Sequence, residues 1–282
     1  MRRYRVDRMS TLPLQGGIPM SRTLKMAPEL LDIGRCFLAC GRDQEALTTL
    51  GKIPQVAGVS SDVTVESQLQ LAQIYLRRRK FALARRHLNV VLACDPASGE
   101  AHYFLASSFF QEDERDLHRA AKHFRRAVEL EPHEPAFAAD YGLCLLDLGR
   151  TTAGLRLLQR AVELAPDDVE YVRDLALSLL TAERPVEARR VVLAALFRQP
   201  GNAEARKLWN EIRFHVARLE QSNRVRPYKS DESEEPVLLP FRRHSHQIAG
   251  TSPAIHGTLK FPSASHRAEL LKRLRKKRRQ SS

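Results

Sequence analysis

The chain has 282 residues, with 46 Lys+Arg against 33 Asp+Glu, a formal net charge of +13 and a pI near 10.0. An apolar content of 43% excludes a wholly disordered chain, and no apolar run approaches the ~18 residues that a membrane-crossing helix needs. Four cysteines do not make a disulfide framework, and the low aromatic content of 6% with modest Gly and Pro favours helices.

Residues 1–26 carry six basic side chains and one acidic one. They lack the apolar stretch of a secretory signal, so the segment is expected to be a disordered basic N-terminus and the chain cytoplasmic. The body, 27–221, is close to neutral, with 26 basic and 27 acidic residues. The high pI therefore belongs to the two ends, 1–26 and 222–282, and binding to polyanions would have to rest on them.

The body is organised by a repeat. Pro96, Pro132, Pro166 and Pro200 are 36, 34 and 34 residues apart. Twelve residues before each stands a small residue (Ala84, Ala120, Gly154, Ala188), and four after that a bulky one (Leu88, Phe124, Leu158, Val192). Further upstream lies a bulky–small pair (Leu71-Ala72, Leu105-Ala106, Tyr141-Gly142, Leu175-Ala176), with a large residue three later (Tyr75, Phe109, Leu145, Leu179). A large side chain and a notch on one helical face let a second helix pack closely, and the proline stops that second helix. Such a hairpin cannot bury its face alone, so neighbours must stack.

The period and the residue types at these positions closely resemble the tetratricopeptide repeat family. A looser first copy (Ile33-Gly34, Phe37, Gly41, Ala46, Leu50, Ile53) lacks the closing proline. The repeats read as 27–64, 65–98, 99–134, 135–168 and 169–202, the third two residues longer within the turn 111–116. Residues 203–221 read as an amphipathic capping helix. The resemblance implies an all-α, right-handed superhelical solenoid of about five helix-turn-helix repeats plus the cap, with disordered basic termini.

It also implies a concave groove lined by the first helices, where peptides commonly bind. The residues expected there are Leu31, Arg35 and Leu38, then Leu69, Gln73 and Leu76, then Tyr103, Ser107 and Phe110. Leu143, Leu146 and Asp147 follow, then Arg173, Leu177 and Leu180, with Lys207 and Phe214 from the cap. Leu38, Leu76, Phe110 and Leu146 are the expected main anchors for an apolar peptide or an amphipathic helix, and Arg35, Gln73, Asp147 and Arg173 the polar selectors. Two other readings stay open: some of these side chains are simply core, or the chain's own Val237-Leu-Leu-Pro-Phe241 occupies the groove. The Lys/Asn/Arg cluster with which chaperone-binding members clamp a carboxylate is not matched.

Residues 222–264 show no sustained periodicity, whereas 266–279 would form a short helix. There Lys272, Arg273, Arg275, Lys276, Lys277, Arg278 and Arg279 place seven cations in eight residues, suited to non-specific contact with RNA, DNA or an anionic membrane surface. The Arg77–Lys80 run falls at a hairpin turn, where acids elsewhere would balance it. Cys36 and Cys40 have helical i, i+4 spacing but no further ligand pair, and Cys36 and Cys144 read as small buried hydrophobes. His118, His123, His244 and His246 likewise suggest no metal site, and no nucleophile elbow, phosphate-cradling loop or zinc-protease motif occurs. The expectation is a non-catalytic interaction scaffold or adaptor without cofactor. The alternative is a nucleic-acid- or surface-associated protein, tethered by its tails, whose repeats recruit partners.

Overall fold

Helical hairpins on the expected period make up the computed structural model of the chain, which describes residues 20–53, 61–112 and 115–225. Among these residues the order is α1 (Met20–Ala39), α2 (Asp43–Leu50), α3 (Ser61–Arg77), α4 (Phe81–Cys94), α5 (Gly99–Phe110) and α6 (Leu117–Leu130). Then come α7 (Pro135–Asp147), α8 (Thr151–Leu164), α9 (Val169–Thr181), α10 (Pro185–Arg198) and α11 (Ala203–Val225). Each odd-numbered helix up to α9 packs on the one that follows it, and α11 packs on α10 and α9. Two compact units result, one holding α1–α4 and the other α5–α11, divided after Pro96. The fold is all-α, built of sequential helix pairs as a tetratricopeptide solenoid is.

The small residues act as notches. Ala72 and Ala84, Ala106 and Ala120, and Ala176 and Ala188 are all fully buried between the paired helices. In the α7–α8 pair both notches are glycine, and a Cβ added to Gly154 would lie 2.7 Å from the Gly142 carbonyl oxygen. The bulky partners Leu88, Phe124, Leu158 and Val192 sit beside them with no exposed surface. Each of α4, α6, α8 and α10 ends two residues before its proline.

Four hairpin turns share one device. Gly41, Arg79, Gly149 and Glu183 have φ of 71°, 56°, 78° and 61°. In each case the next amide reaches back five residues, as in Arg42 to Phe37 and Arg150 to Leu145, both at 2.8 Å. This left-handed closure satisfies carbonyls that a helix end otherwise leaves open. Its own amide bonds to Leu38, Leu76, Leu146 or Leu180, so those four residues occupy the last turn of a first helix.

Three boundaries differ from the sequence expectation. Helix α1 begins at Met20, seven residues before the reading from the repeat, α3 begins at Ser61, four residues before the expected start of the second repeat, and α11 runs to Val225 rather than 221. The period marks packing positions, and helical backbone extends past the last residue that packs.

Candidate interaction face

In the α5–α11 unit the first-helix positions are filled by a buried aromatic and acidic core. The Tyr103 ring stacks on Phe137 at 4.5 Å and tilts against Phe124 at 5.9 Å, while Phe110 meets Phe124 edge-on at 6.0 Å. The Tyr103 hydroxyl donates to Asp140 Oδ2 at 2.8 Å. Burial, followed by the Asp140 charge, pushes this phenol well above its ordinary value. Ser107 Oγ donates to the Tyr103 carbonyl at 3.0 Å, one turn back. Leu143, Leu177 and Leu180 are buried too, as are the carboxylates of Asp140 and Asp174. Tyr171 is half-buried, and its hydroxyl is also pushed up, mainly by desolvation and then by Asp168 and Asp140.

Four of the expected groove residues in this unit keep surface. Leu146 and Arg173 are half-buried, Lys207 is exposed, and Phe214 is 69% exposed. Arg173 forms no hydrogen bond or ion pair among the described residues, and its Nε is enclosed without an acceptor. Asp147 differs, its carboxylate covered by Arg115 at 2.6 Å.

In the α1–α4 unit Leu31, Leu69 and Leu76 are core and Gln73 is buried. Leu38 is half-buried and packs against the cluster of Ala27, Leu31, Leu50, Leu71 and Ile74. Arg35 pairs with Glu66 at 3.1 Å and Asp32 at 3.4 Å, and Glu66 also accepts from Gln70 at 3.1 Å. The Arg77–Lys80 run is engaged locally. Arg77 pairs with Asp43, Arg78 reaches Gln44 at 3.0 Å, and Arg79 lies over the Phe81 ring at 5.5 Å.

The structure thus narrows the anchor set. Leu76 and Phe110 were expected to grip a ligand, but both are enclosed by the chain's own helices, as are Leu31, Leu69, Tyr103, Leu143, Leu177 and Leu180. A leucine or aromatic on the last turn of a first helix is equally suited to a neighbour's packing, and at these positions that packing prevails. Cys36 is exposed rather than buried, whereas Cys144 is buried and its thiol pushed up to about 12 by desolvation.

One pairing had no sequence signal. His102 of α5 and His123 of α6 stack at 5.4 Å with Nδ1 atoms 3.2 Å apart. Burial, then His102 and Lys122, pull His123 down to about 4. Only the hairpin register, which places α5 beside α6, brings these two rings together.

Among the described residues no group of three His, Cys, Asp or Glu side chains assembles that would hold a metal. No described helix is long and apolar enough to cross a membrane. The expected helix 266–279 with Lys272–Arg279, the apolar island 237–241, and His244 and His246 lie outside the described residues.

Two family models described as tetratricopeptide repeat match residues 69–114 and 112–176. No curated protein matches the sequence. Among solved structures, MamA is 21% identical with a TM-score of 0.52, over 64% of this chain and 95% of its own. The pilF protein of Pseudomonas aeruginosa is 17% identical with a TM-score of 0.54, over 72% and 93%. YrrB, described as a tetratricopeptide protein with an unusual peptide-binding site, is 15% identical with a TM-score of 0.50, over 67% and 97%. At these identities the likeness is one of fold.

Proposed function

Because the chain is a tetratricopeptide repeat protein, we propose that it is a non-catalytic scaffold that holds a peptide or amphipathic helix against the first-helix face of α7, α9 and α11. Tetratricopeptide repeats generally mediate protein–protein interactions, and a peptide is the ligand class named for YrrB. The observation that carries the reading is the Arg173 guanidinium, which has no partner among the described residues and encloses an unmet Nε donor. An unsatisfied buried donor costs about 1–3 kcal/mol, so a ligand carboxylate that meets it gains twice, by pairing and by removing that penalty. Lys207 stands 34 residues on, at the equivalent repeat position, and supplies a second cation. Leu146 and Phe214 offer apolar surface. The ligand that fits is an apolar segment interrupted by an acidic residue. In the α1–α4 unit Leu38 is likewise half-buried, and Arg35 is already paired with Glu66 and Asp32.

A display library of random peptides selected against the full chain tests this. Selected peptides are expected to combine apolar residues with at least one acid and to lose binding to the Arg173→Glu, Phe214→Ser variant while its helicity is unchanged. Equal binding by that variant overturns the reading.

The basic C-terminal segment favours a second reading, tethering to nucleic acid through Lys272–Arg279. Salt separates the two. Neutralising about five phosphates gives a log–log slope of roughly −3.5 to −4.5, whereas apolar docking is nearly salt-independent.

A further inference from the structure

The outer surface of α10 carries an apolar stripe that the repeat packing does not use. Val186, Leu193 and Phe197 are spaced seven and four apart, hence on one side of the helix, and are 49%, 43% and 88% exposed. With Ala194 they line a shallow depression together with Arg189, Arg190 and Arg198, and no acidic residue contributes to it. Arg190 has no ion pair among the described residues, and Arg198 donates to the Pro166 carbonyl oxygen at 2.7 Å rather than to a carboxylate. The surface asks for an occupant both apolar and strongly acidic.

The chain contains one such segment. Asp231-Glu-Ser-Glu-Glu-Pro-Val-Leu-Leu-Pro-Phe241 sets four carboxylates in five residues directly before four apolar side chains in five. Beyond residue 221 only one other acid occurs, Glu269. We propose that residues 231–241 dock on the arginine-flanked stripe of α10, the acids against Arg189 and Arg190 and Val237, Leu238, Leu239 and Phe241 along Leu193 and Phe197.

Reach and direction agree with this. Four residues join α10 to α11, so the two helices run antiparallel, and α11 carries the chain back past the start of α10. At 1.5 Å per residue α11 overshoots α10 by about 13 Å. The six steps from Val225 to Asp231 span up to about 20 Å, enough to return to the first turn of α10 and cross one interhelical distance of about 10 Å. The acids then arrive at the N-terminal part of the stripe, and the apolar residues continue toward Phe197. The proposal does not depend on what the first-helix face binds.

Photo-crosslinking of the full chain tests it. Replacing Phe197 by p-benzoylphenylalanine disturbs little, because that side chain is 88% exposed. After irradiation and trypsin digestion, the peptide 230–242 should be attached to the α10 peptide, in chains of monomer mass. Neutralising the four acids (Asp231→Asn, Glu232→Gln, Glu234→Gln, Glu235→Gln), which adds no trypsin site, should lower that yield severalfold with the helicity unchanged. Four results overturn the proposal: no adduct from 230–242, an adduct confined to crosslinked pairs of chains, an adduct insensitive to the neutralisation, or transfer to lipid when phosphatidylserine vesicles are added.

Discussion

Tyr103 and Asp140 lie 37 residues apart on first helices of successive hairpins and meet, fully enclosed, through a 2.8 Å hydrogen bond from phenol to carboxylate. This bond joins one repeat to the next, as the Arg115–Asp147 ion pair does nearer the turn, and it sits on the side where the candidate interaction face begins. A hydrogen bond to a buried charge contributes about 1.5–3 kcal/mol. Tyr103→Phe is therefore expected to lower the unfolding free energy by about that amount in urea titrations. Adding Asp140→Asn should return part of the loss, because the uncharged amide tolerates the missing donor better.

The glycine pair of α7 and α8 gives a local test of close packing. A Cβ on Gly154 would stand 2.7 Å from the Gly142 oxygen and equally close to Leu146 Cγ, and the oxygen belongs to a rigid backbone. Gly154→Ala should destabilise by about 1–3 kcal/mol, as overpacking does. Gly201→Ala, where an added Cβ meets nothing within 4 Å, is the control and should change stability by less than about 0.5 kcal/mol.

Two hairpin turns place a non-glycine residue in the left-handed region, and two place glycine there. Glu183→Gly should raise the melting temperature, because relief of about 1–2 kcal/mol of strain exceeds the added unfolded-state entropy of about 0.5–1 kcal/mol. Gly149→Ala should lower it by the same reasoning.

The histidine pair predicts a pH dependence. His123 is drawn from its ordinary 6.5 to about 4 by burial and by the neighbouring His102 and Lys122. Between these values the unfolded chain binds the proton and the folded chain does not, so stability is present above about 6.5 and falls as pH drops toward 4. Thermal melts at pH 7 and pH 5 should show a smaller difference in His123→Gln than in the parent chain.

The period, the notches and the proline stops were legible because each has one physical use. Ala120 and Gly154 must be small wherever helices cross closely, and Pro132 or Pro166 must follow a helix end. The candidate face was less legible. Phe110 and Phe214 share a register position and an amino acid, yet one is 3% and the other 69% exposed. What differs is the neighbour. Phe110 is met by Phe124 of α6, whereas α11 is the last described helix. Residue type marks the position as apolar, but only the packing of successive hairpins decides whether it is covered. The free guanidinium of Arg173 was equally hidden, since sequence does not reveal which arginines find an acid and which, like Arg115 on Asp147, already have one.

The most direct test of the central claim is where a bound peptide lies. A display-selected peptide with a photo-reactive group at an apolar position should attach to the first-helix residues of α7, α9 and α11, Leu146 and Phe214 among them. Arg173→Glu should abolish that adduct. Adducts on second helices alone, or undiminished labelling of the Arg173→Glu chain, would contradict a first-helix interaction face.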